Sequence, residues 1–498
     1  MRCLTLAGAL RERESDVSFV CREHEGNLCK LIGERGFRVD PLPLRNSAVP
    51  AEAVPAHSRW LGDTWQADAE LTLAAIRASN VMPDWLVVDH YALDERWERR
   101  LRPATKRIMV IDDLADRPHD CDLLLDQNLV ARGRGRYAGN VPEKCAMLLS
   151  PEYALLQSGY AELHERIDAR NGPVRRIFIF FGGTDVHNLT GRSLAGLLRL
   201  DRPDIEVDVV VPACGPHAAA IHSLASGHDN LHLHGNLPTL APLMASADLA
   251  IGAGGGTTWE RLCLGLPSLV VAVAENQRAT AEELSRLGLI RFLGGHDQVT
   301  ESSIAQALQE ALQETSNEQW SRRCLAVVDG KGVARVGAVM TATVASPLRA
   351  RHVVAGDEAL LLEWANDPIT RKNAFSPERI TAETHHAWFH ARLRDVDDCR
   401  FYIVENDDSV PIGTVRFERS GPIWEVHFSL APSFRGRELG RRLLEVAMLN
   451  LRADNMGTAQ VLGQVKEGNL PSRRIFEALA FETLPETKAG VIIYRRTL

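Results

Sequence analysis

From about residue 80 to 345 the chain alternates short apolar runs with stretches of helical period. The runs are DWLVVDH (84–90), RIMVIDD (107–113), CDLLLDQ (121–127), RRIFIFFGG (175–183), IEVDVVVP (205–212), NLHLHG (230–235), DLAIGAGGG (248–256) and SLVVAVA (268–274). Each is short and rich in Val, Ile or Leu, and most end in Gly, Asp or Pro. Such runs are the mark of parallel strands buried on both faces. Helical periodicity falls between them at 190–200, 256–264 and 277–287. Strand–helix alternation predicts doubly wound α/β architecture. The polar stretch YAELHERIDARNGPVRR (160–176) divides it into two Rossmann-like halves, 1–160 and 173–345.

After VASPLRARHV (344–353), which reads as a linker, the pattern changes to α+β over 349–498. LLLEWAND (360–367) and ITAETHHAWFHARLRD (380–395) read as helices. RFYIVEND (400–407), VPIGTVRFE (410–418) and WEVHFSLAP (424–432) read as an antiparallel run joined by polar turns. A helix (440–452), a strand (458–465), a helix (470–479) and a last strand (490–496) complete it.

The 498 residues carry a net charge of -8, which argues against generic nucleic-acid binding. Nine cysteines are scattered without a CxxC pair, so neither a zinc knuckle nor a disulfide framework is expected, and the predicted location is cytoplasmic. No metal motif is evident. The most apolar stretch is far too short to span a membrane. The chain opens on MRCLTLAGAL, which has the spacing of a buried helix with nothing before it to cap it.

EVHFSLAPSFRGRELGRRLLEVAM (425–448) places a strand, an Arg- and Gly-rich turn and a helix in succession. Backbone N–H groups of such a turn can hold an anion, and Arg435, Arg437 and Arg441 add charge suited to a pyrophosphate. Glu425 and His427 share a face of the strand, since strand side chains alternate, and either can deprotonate an amine. Both can equally be strand residues satisfied by hydrogen bonds. With VKEGNLPSRRIFEALAF (465–481) and LLEWANDPITR (361–371), these segments resemble the GNAT family of acetyl-coenzyme A-dependent N-acetyltransferases. The resemblance implies that Leu430, Arg435, Gly436, Arg437, Gly440, Arg441 and Asn469 hold acetyl-coenzyme A. Two departures stand out. Glu438 occupies the first glycine position of the family turn, and Phe476 occupies the place of the tyrosine that many members use as general acid.

In the first 345 residues, Gly182-Gly183 and Gly254-Gly255-Gly256 follow buried strands and let backbone approach a diphosphate. Thr257 and Thr258 can cap the next helix, and Glu260 can grip ribose hydroxyls. Two such loops in a two-half α/β framework resemble the GT-B class. A closer resemblance is to the UDP-sugar hydrolases of pseudaminic acid biosynthesis, which release UDP from a 2,4-diacetamido-2,4,6-trideoxy-altrose. It is carried by MRCLTLAGAL, VVDHYALDERWE, VIDDLADRPHDCDLLLDQN, FGGTD, GAGGGTTWE and ENQ. It implies that Glu260 meets the uridine ribose and that Tyr91 and Asn276 lie near the sugar. The plainer alternatives are that Tyr91 closes a core edge, Asn276 caps a helix and Asp112-Asp113 end a strand. In that family a strand and a Gly-His loop, whose histidine is the base for water, come before the helix that here begins at Met1. The resemblance therefore implies that a strand and this loop precede Met1. Neither His90 nor His187 stands where that base belongs.

The expectation is a bifunctional enzyme acting on a UDP-linked aminosugar, with 4-N-acetylation by acetyl-coenzyme A and hydrolytic release of UDP. Two alternatives remain open: a GT-B glycosyltransferase fused to an acetyltransferase, or a UDP-sugar binding module without catalysis that serves the acetyltransferase.

Overall fold

The computed structural model describes residues 1–45, 55–130, 133–211, 215–235, 237–314, 317–454, 459–485 and 490–498. The chain divides into two compact units, Met1–Val336 and Gly337–Leu498.

In the first unit, β1 (Ser18–Arg22) and β2 (Arg38–Leu42) form a parallel pair. A separate sheet holds β3 (Leu86–Val88), β4 (Ile108–Ile111), β5 (Leu123–Asp126) and β6 (Ala146–Leu149), parallel and in sequence order. The third sheet has β7 (Arg176–Phe180), β8 (Glu206–Val210), β9 (Leu231–His234), β10 (Leu249–Ala253), β11 (Ser268–Ala272) and β12 (Arg291–Gly295). Its order is β12-β11-β10-β7-β8-β9, all parallel. This is the doubly wound order in which the direction of winding reverses between β7 and β10, and the crevice at that reversal is where such sheets take ligands. Every residue of β4, β5, β10 and β11 is buried, which is why these strands read as continuous apolar runs.

The opening helix spans Arg2–Glu12, buries Leu6, Ala7 and Leu10, and starts at Met1 with no side-chain cap. Strands β1, β2, β6 and β12 were not expected from sequence. Their residues are mostly half-buried or exposed, so they lack the apolar signal of the central strands.

The second unit is built on β13 (Leu348–His352), β14 (Cys399–Asn406), β15 (Pro411–Ser420), β16 (Ile423–Leu430), β17 (Gln460–Lys466), β18 (Glu482–Thr483) and β19 (Val491–Thr497). The sheet order is β13-β14-β15-β16-β17-β19-β18. Half of the expected linker is thus an edge strand, antiparallel to β14. Its charged sequence hid it: Arg351 bonds Glu405 across the ladder at 2.6 Å and Asp357 at 2.7 and 2.8 Å. The helix Leu439–Asp454 buries Leu443, Leu444, Ala447 and Leu451, spaced three and four apart, against Val415, Phe417, Trp424 and Val426 of the sheet. Strands β16 and β17 are parallel, and they pair only from Ile423–Glu425 to Gln460–Leu462. The β17 side of Val426–Leu430 therefore carries no ladder.

Among the described residues no helix is long and apolar enough to cross a membrane. The described cysteines are all free thiols, and Cys214 lies outside the described residues.

Candidate functional sites

The reversal between β7 and β10 brings Gly182-Gly183 and Gly254-Gly255-Gly256 to the carboxyl ends of neighbouring strands. Gly182 needs to be glycine for its backbone, with φ +96°. No such need applies to Gly183 or Gly256, where an added Cβ would meet nothing within 4 Å, nor to Gly255, where it would make ordinary contact with Gln277. The protein's own packing gives no reason for these glycines, so the space over them is open to a ligand. Gly252 is a different case. A Cβ there would lie 2.4 Å from Arg261 Nη1 and 2.6 Å from the Phe180 carbonyl, so its role is internal packing.

Glu260 follows on the helix Thr257–Cys263. Its Oε2 is buried and has no hydrogen-bond partner. Burial pushes this carboxyl up to about 7, against the opposing pull of Tyr160 and Arg261. A buried carboxylate oxygen left without a donor is costly in the free protein, and ribose hydroxyls are donors that could satisfy it. The threonines do not cap this helix as expected. Its N-cap is Gly256, with no side-chain bond. Thr258 donates to the Ala253 carbonyl at 3.3 Å, and Thr257 accepts from Arg261 at 3.5 Å. Arg261, fully buried, holds this turn together by donating to Ala253 and Thr258. Asp185 of the FGGTD loop is also committed, accepting from the Leu189 and Thr190 N–H groups at 2.9 Å. Asn276 is exposed in the short helical turn Glu275–Gln277, and its side chain caps no helix.

A second polar cluster lies at the carboxyl edge of β3–β5. Tyr91 donates to Asp113 Oδ1 at 2.7 Å, and Asn128 donates to Asp113 Oδ2 at 3.3 Å. Beside it, Arg2 clamps Asp89 at 2.6 and 3.1 Å, and the Cys3 thiol donates to the same carboxylate. Burial and the Asp113 charge raise the Tyr91 phenol, which stays protonated as a donor. Asp112 is structural: it accepts from the Ala115 N–H and pairs with the buried Arg117. His57 and Trp60 pack near the Tyr91 ring, at centroid distances of 5.8 and 6.1 Å. The two histidines weighed above make contacts of their own. His90 Nδ1 accepts from the Ala92 N–H, and His187 stacks on His296 at 3.6 Å.

In the second unit, Glu425 and His427 share the sheet face opposite the helix core, with His427 Nε2 3.9 Å from Glu425 Oε1 and 4.0 Å from Glu418 Oε2. Burial, reinforced by Arg416, pushes His427 down to about 4, so the imidazole is neutral near pH 7. Burial and Glu418 raise the Glu425 carboxyl, which also accepts from Gln464 at 3.0 Å. Burial alone would raise Glu418 as well, but Arg416 and Arg392 hold it low.

The turn after β16 differs from expectation in its arginines. Arg435 is tied to Asp367 at 2.5 Å and to Thr370 at 2.8 Å, and Asp367 in turn caps the helix Pro368–Asn373. Arg437 donates to the Val339 carbonyl. Arg441 reaches Glu445 one turn along at 2.9 Å and is more than half exposed. Gly436 has φ +70°, and Glu438, at the family's glycine position, adopts φ +60°. Gly440 lets the helix approach Ile475, whose Cδ1 would lie 2.5 Å from an added Cβ. Asn469 caps the helix Leu470–Ala478 through Ser472 N–H at 3.3 Å, and Leu430 is the last residue of β16.

Residues 348–482 match the family model of the acetyltransferase (GNAT) domain. Over its whole length the chain is 23% identical to an uncharacterized protein of Methanocaldococcus jannaschii, covering 96% of it. It is 26% identical over 280 residues to the UDP-2,4-diacetamido-2,4,6-trideoxy-beta-L-altropyranose hydrolase of Campylobacter jejuni, covering 56% of this chain and 89% of that one. A crystal structure of Acinetobacter baumannii MurG overlaps 68% of this chain and 94% of its own at a TM-score of 0.45 and 12% identity. The chain therefore joins a distant relative of a UDP-sugar hydrolase to a GNAT domain.

Within the GNAT domain, Phe476 is buried to 1% exposure, stacked on Tyr494 at 5.0 Å. Its ring tip fills the space over Gly463, where an added Cβ would sit 2.3 Å from Cζ. The Tyr494 hydroxyl donates to Glu477 at 3.1 Å. Sequence reasoning missed Glu418, Arg392 and Arg416 around His427, and Asn128 and His57 around Tyr91; it weighed Asp113 but did not pair it with Tyr91. Strand alternation could have found Arg416 and Glu418; the others are brought in by tertiary packing.

Proposed function

We propose that this protein handles a UDP-linked aminosugar at two sites. The GNAT domain transfers an acetyl group from acetyl-coenzyme A to a sugar amine. The first unit holds the UDP-sugar and breaks its glycosyl–phosphate bond, delivering the sugar to water in a pathway such as pseudaminic acid biosynthesis. The observation that carries this reading is the coexistence, in one chain, of a GNAT match and a 280-residue similarity to a UDP-diacetamido sugar hydrolase.

In the acetyltransferase site either Glu425, whose carboxyl is raised by burial and Glu418, or the neutral imidazole of His427 beside it accepts the proton of the incoming ammonium. The freed amine attacks the thioester carbonyl; a C–N bond forms, the C–S bond breaks and the thiolate leaves. Acetyl-coenzyme A lies along the unladdered side of Val426–Leu430, with its pyrophosphate at the turn of Gly436–Gly440 and near Arg441. Arg435 acts as an anchor of that turn through Asp367. Phe476 donates no proton, so the thiolate takes one from solvent or from the protonated nitrogen of the tetrahedral intermediate as it collapses to the amide.

In the first unit the backbone of Gly183 and Gly254–Gly256 cradles the diphosphate, and Glu260 accepts from the ribose hydroxyls. Tyr91, Asp113 and Asn276 contact the sugar. A second reading rests on the placement of the histidines: His90 Nδ1 accepts from the Ala92 N–H, His187 stacks on His296, and His57 packs near the Tyr91 ring without a bond to Tyr91 or Asp113 that would mark it as a base for water. In that reading the unit passes the sugar to another acceptor, or holds it for the GNAT domain without cleaving it.

The test is incubation of the full chain with a UDP-linked 4-amino sugar and acetyl-coenzyme A, following free thiol and UDP separately. The expected result is thiol release that depends on the aminosugar, followed by UDP release from the acetylated product. UDP release only on addition of a sugar acceptor selects the transferase, and thiol release with no UDP release selects the holding module. Thiol release with polyamines or peptide amines but with no UDP-aminosugar would overturn the whole reading.

A further inference from the structure

Glu358 opens the helix Glu358–Ala365, and His386 and His390 lie one turn apart on the helix Ala382–Arg394. Residues four apart share a helix face. The packing of the two helices sets all three side chains together. His386 Nδ1 is 3.0 Å from Glu358 Oε1, His390 Nε2 is 3.3 Å from Glu358 Oε2, and the two rings are 4.4 Å apart. All the potential ligand atoms lie within 4.8 Å of one another.

We propose that Glu358, His386 and His390 form a binding site for a divalent transition metal such as zinc, clipping the two helices together. Tetrahedral zinc with nitrogen and oxygen ligands at about 2.0–2.1 Å has ligand atoms roughly 3.3 Å apart. Both His–Glu pairs already stand near that separation, and only the two imidazoles need to draw closer, by rotation of the exposed His386 and half-exposed His390 side chains. Two imidazoles and one carboxylate suit zinc, nickel or copper rather than magnesium or calcium, which favour all-oxygen shells. The partial exposure of the cluster leaves room for water to complete the coordination. No motif announces this triad, because the carboxylate lies on a different helix from the His-x-x-x-His pair. The site is independent of the acetyltransferase reading.

The test is calorimetric titration of the full chain with zinc alone, beside His386→Gln, His390→Gln and Glu358→Gln. These residues are exposed or half-exposed, so the variants should fold, which circular dichroism verifies. One zinc should bind the wild type and raise its melting temperature, since a ligand of the folded state stabilises it. Each substitution should weaken binding by more than about tenfold, because even the partners of metal ligands carry about 10- to 100-fold. Copper loaded at one equivalent should show two coordinating nitrogens by electron paramagnetic resonance in the wild type and one in His390→Gln. Absence of zinc binding at millimolar metal, or binding that all three variants leave unchanged and that thiol alkylation removes, would overturn the proposal.

Discussion

Glu260→Gln separates the contribution of the buried carboxylate to binding from its contribution to stability, and the two should move in opposite directions. The folded protein holds the proton on Glu260 more tightly than the unfolded chain does, up to about 7 against an ordinary 4.5. At 1.36 kcal/mol per pH unit, that difference is worth at most about 3 kcal/mol. The sign follows from linkage. The native state binds more protons, so stability is full below about pH 4.5 and is lost as pH rises through about 7. Glutamine carries no charge to bury. Above pH 7.5 the variant should therefore be more stable than the wild type, by about 1–3 kcal/mol, read as a rise of a few degrees in melting temperature. Binding should run the other way. If ribose hydroxyls donate to the ionised carboxylate, as proposed, wild-type affinity for a UDP-sugar should climb by up to about tenfold per pH unit toward pH 7 and flatten beyond it. UDP-N-acetylglucosamine is the suitable probe for calorimetry, because its diphosphate lacks the terminal ionisation near pH 6 that free UDP carries. In Glu260→Gln the profile should be flat and the affinity at pH 8 lower by about 1–3 kcal/mol, the range for hydrogen bonds to a charged group. A variant with wild-type affinity at every pH, or one that gains no stability above pH 7.5, would refute the reasoning.

Gly256→Ala should leave the unfolding free energy unchanged within about 0.5 kcal/mol, since its Cβ meets no protein atom, yet weaken UDP-sugar binding in the same titration. If His427 is the base, His427→Gln should lower kcat for acetyl transfer by about 10²-fold or more while leaving the KM for acetyl-coenzyme A near its original value, as measured by thiol release. Glu438→Gly should raise stability by roughly 1 kcal/mol in urea unfolding, because it relieves a side chain held at φ +60°. Gly463→Ala should destabilise by about 1–3 kcal/mol in the same assay, since its Cβ would collide with the buried Phe476 ring.

What the sequence displayed depended on how each element is buried. Strands β4, β5, β10 and β11 are enclosed on both faces, and their runs of Val, Ile and Leu announce them. Strand β13 could not be seen, because its Arg349 and Arg351 are there to pair with Glu405 across an edge ladder, and charge in a short segment reads as a linker. The same contrast runs through the sites. Glycine loops after strands are local signals and were legible. The pairing of Tyr91 with Asp113, 22 residues on, depends on the register of β3 against β4, which no local spacing encodes. The Glu358–His386–His390 cluster was hidden for the same reason, since it depends on how two helices pack.

Residue type alone also could not say which polar groups are already spent. Arg435, Arg261, Asp185 and Thr258 have the chemistry of anion or nucleotide binding, and each is committed to a partner inside the protein. A guanidinium already paired with Asp367 gives little further attraction to a pyrophosphate, because its charge is neutralised at 2.5 Å. The groups left unspent are different in kind: the Oε2 of Glu260 without a donor, glycines at 183, 255 and 256 that no internal contact requires, and the exposed Asn276. Buried polar groups are normally satisfied within the fold or by water, so an oxygen without a protein donor, beside glycines that no internal contact requires, is a candidate point of contact for a ligand. Bonding capacity left over after the fold has satisfied itself therefore supports the proposed site of the first unit more strongly than the arginine-rich turn supports the proposed acetyltransferase site.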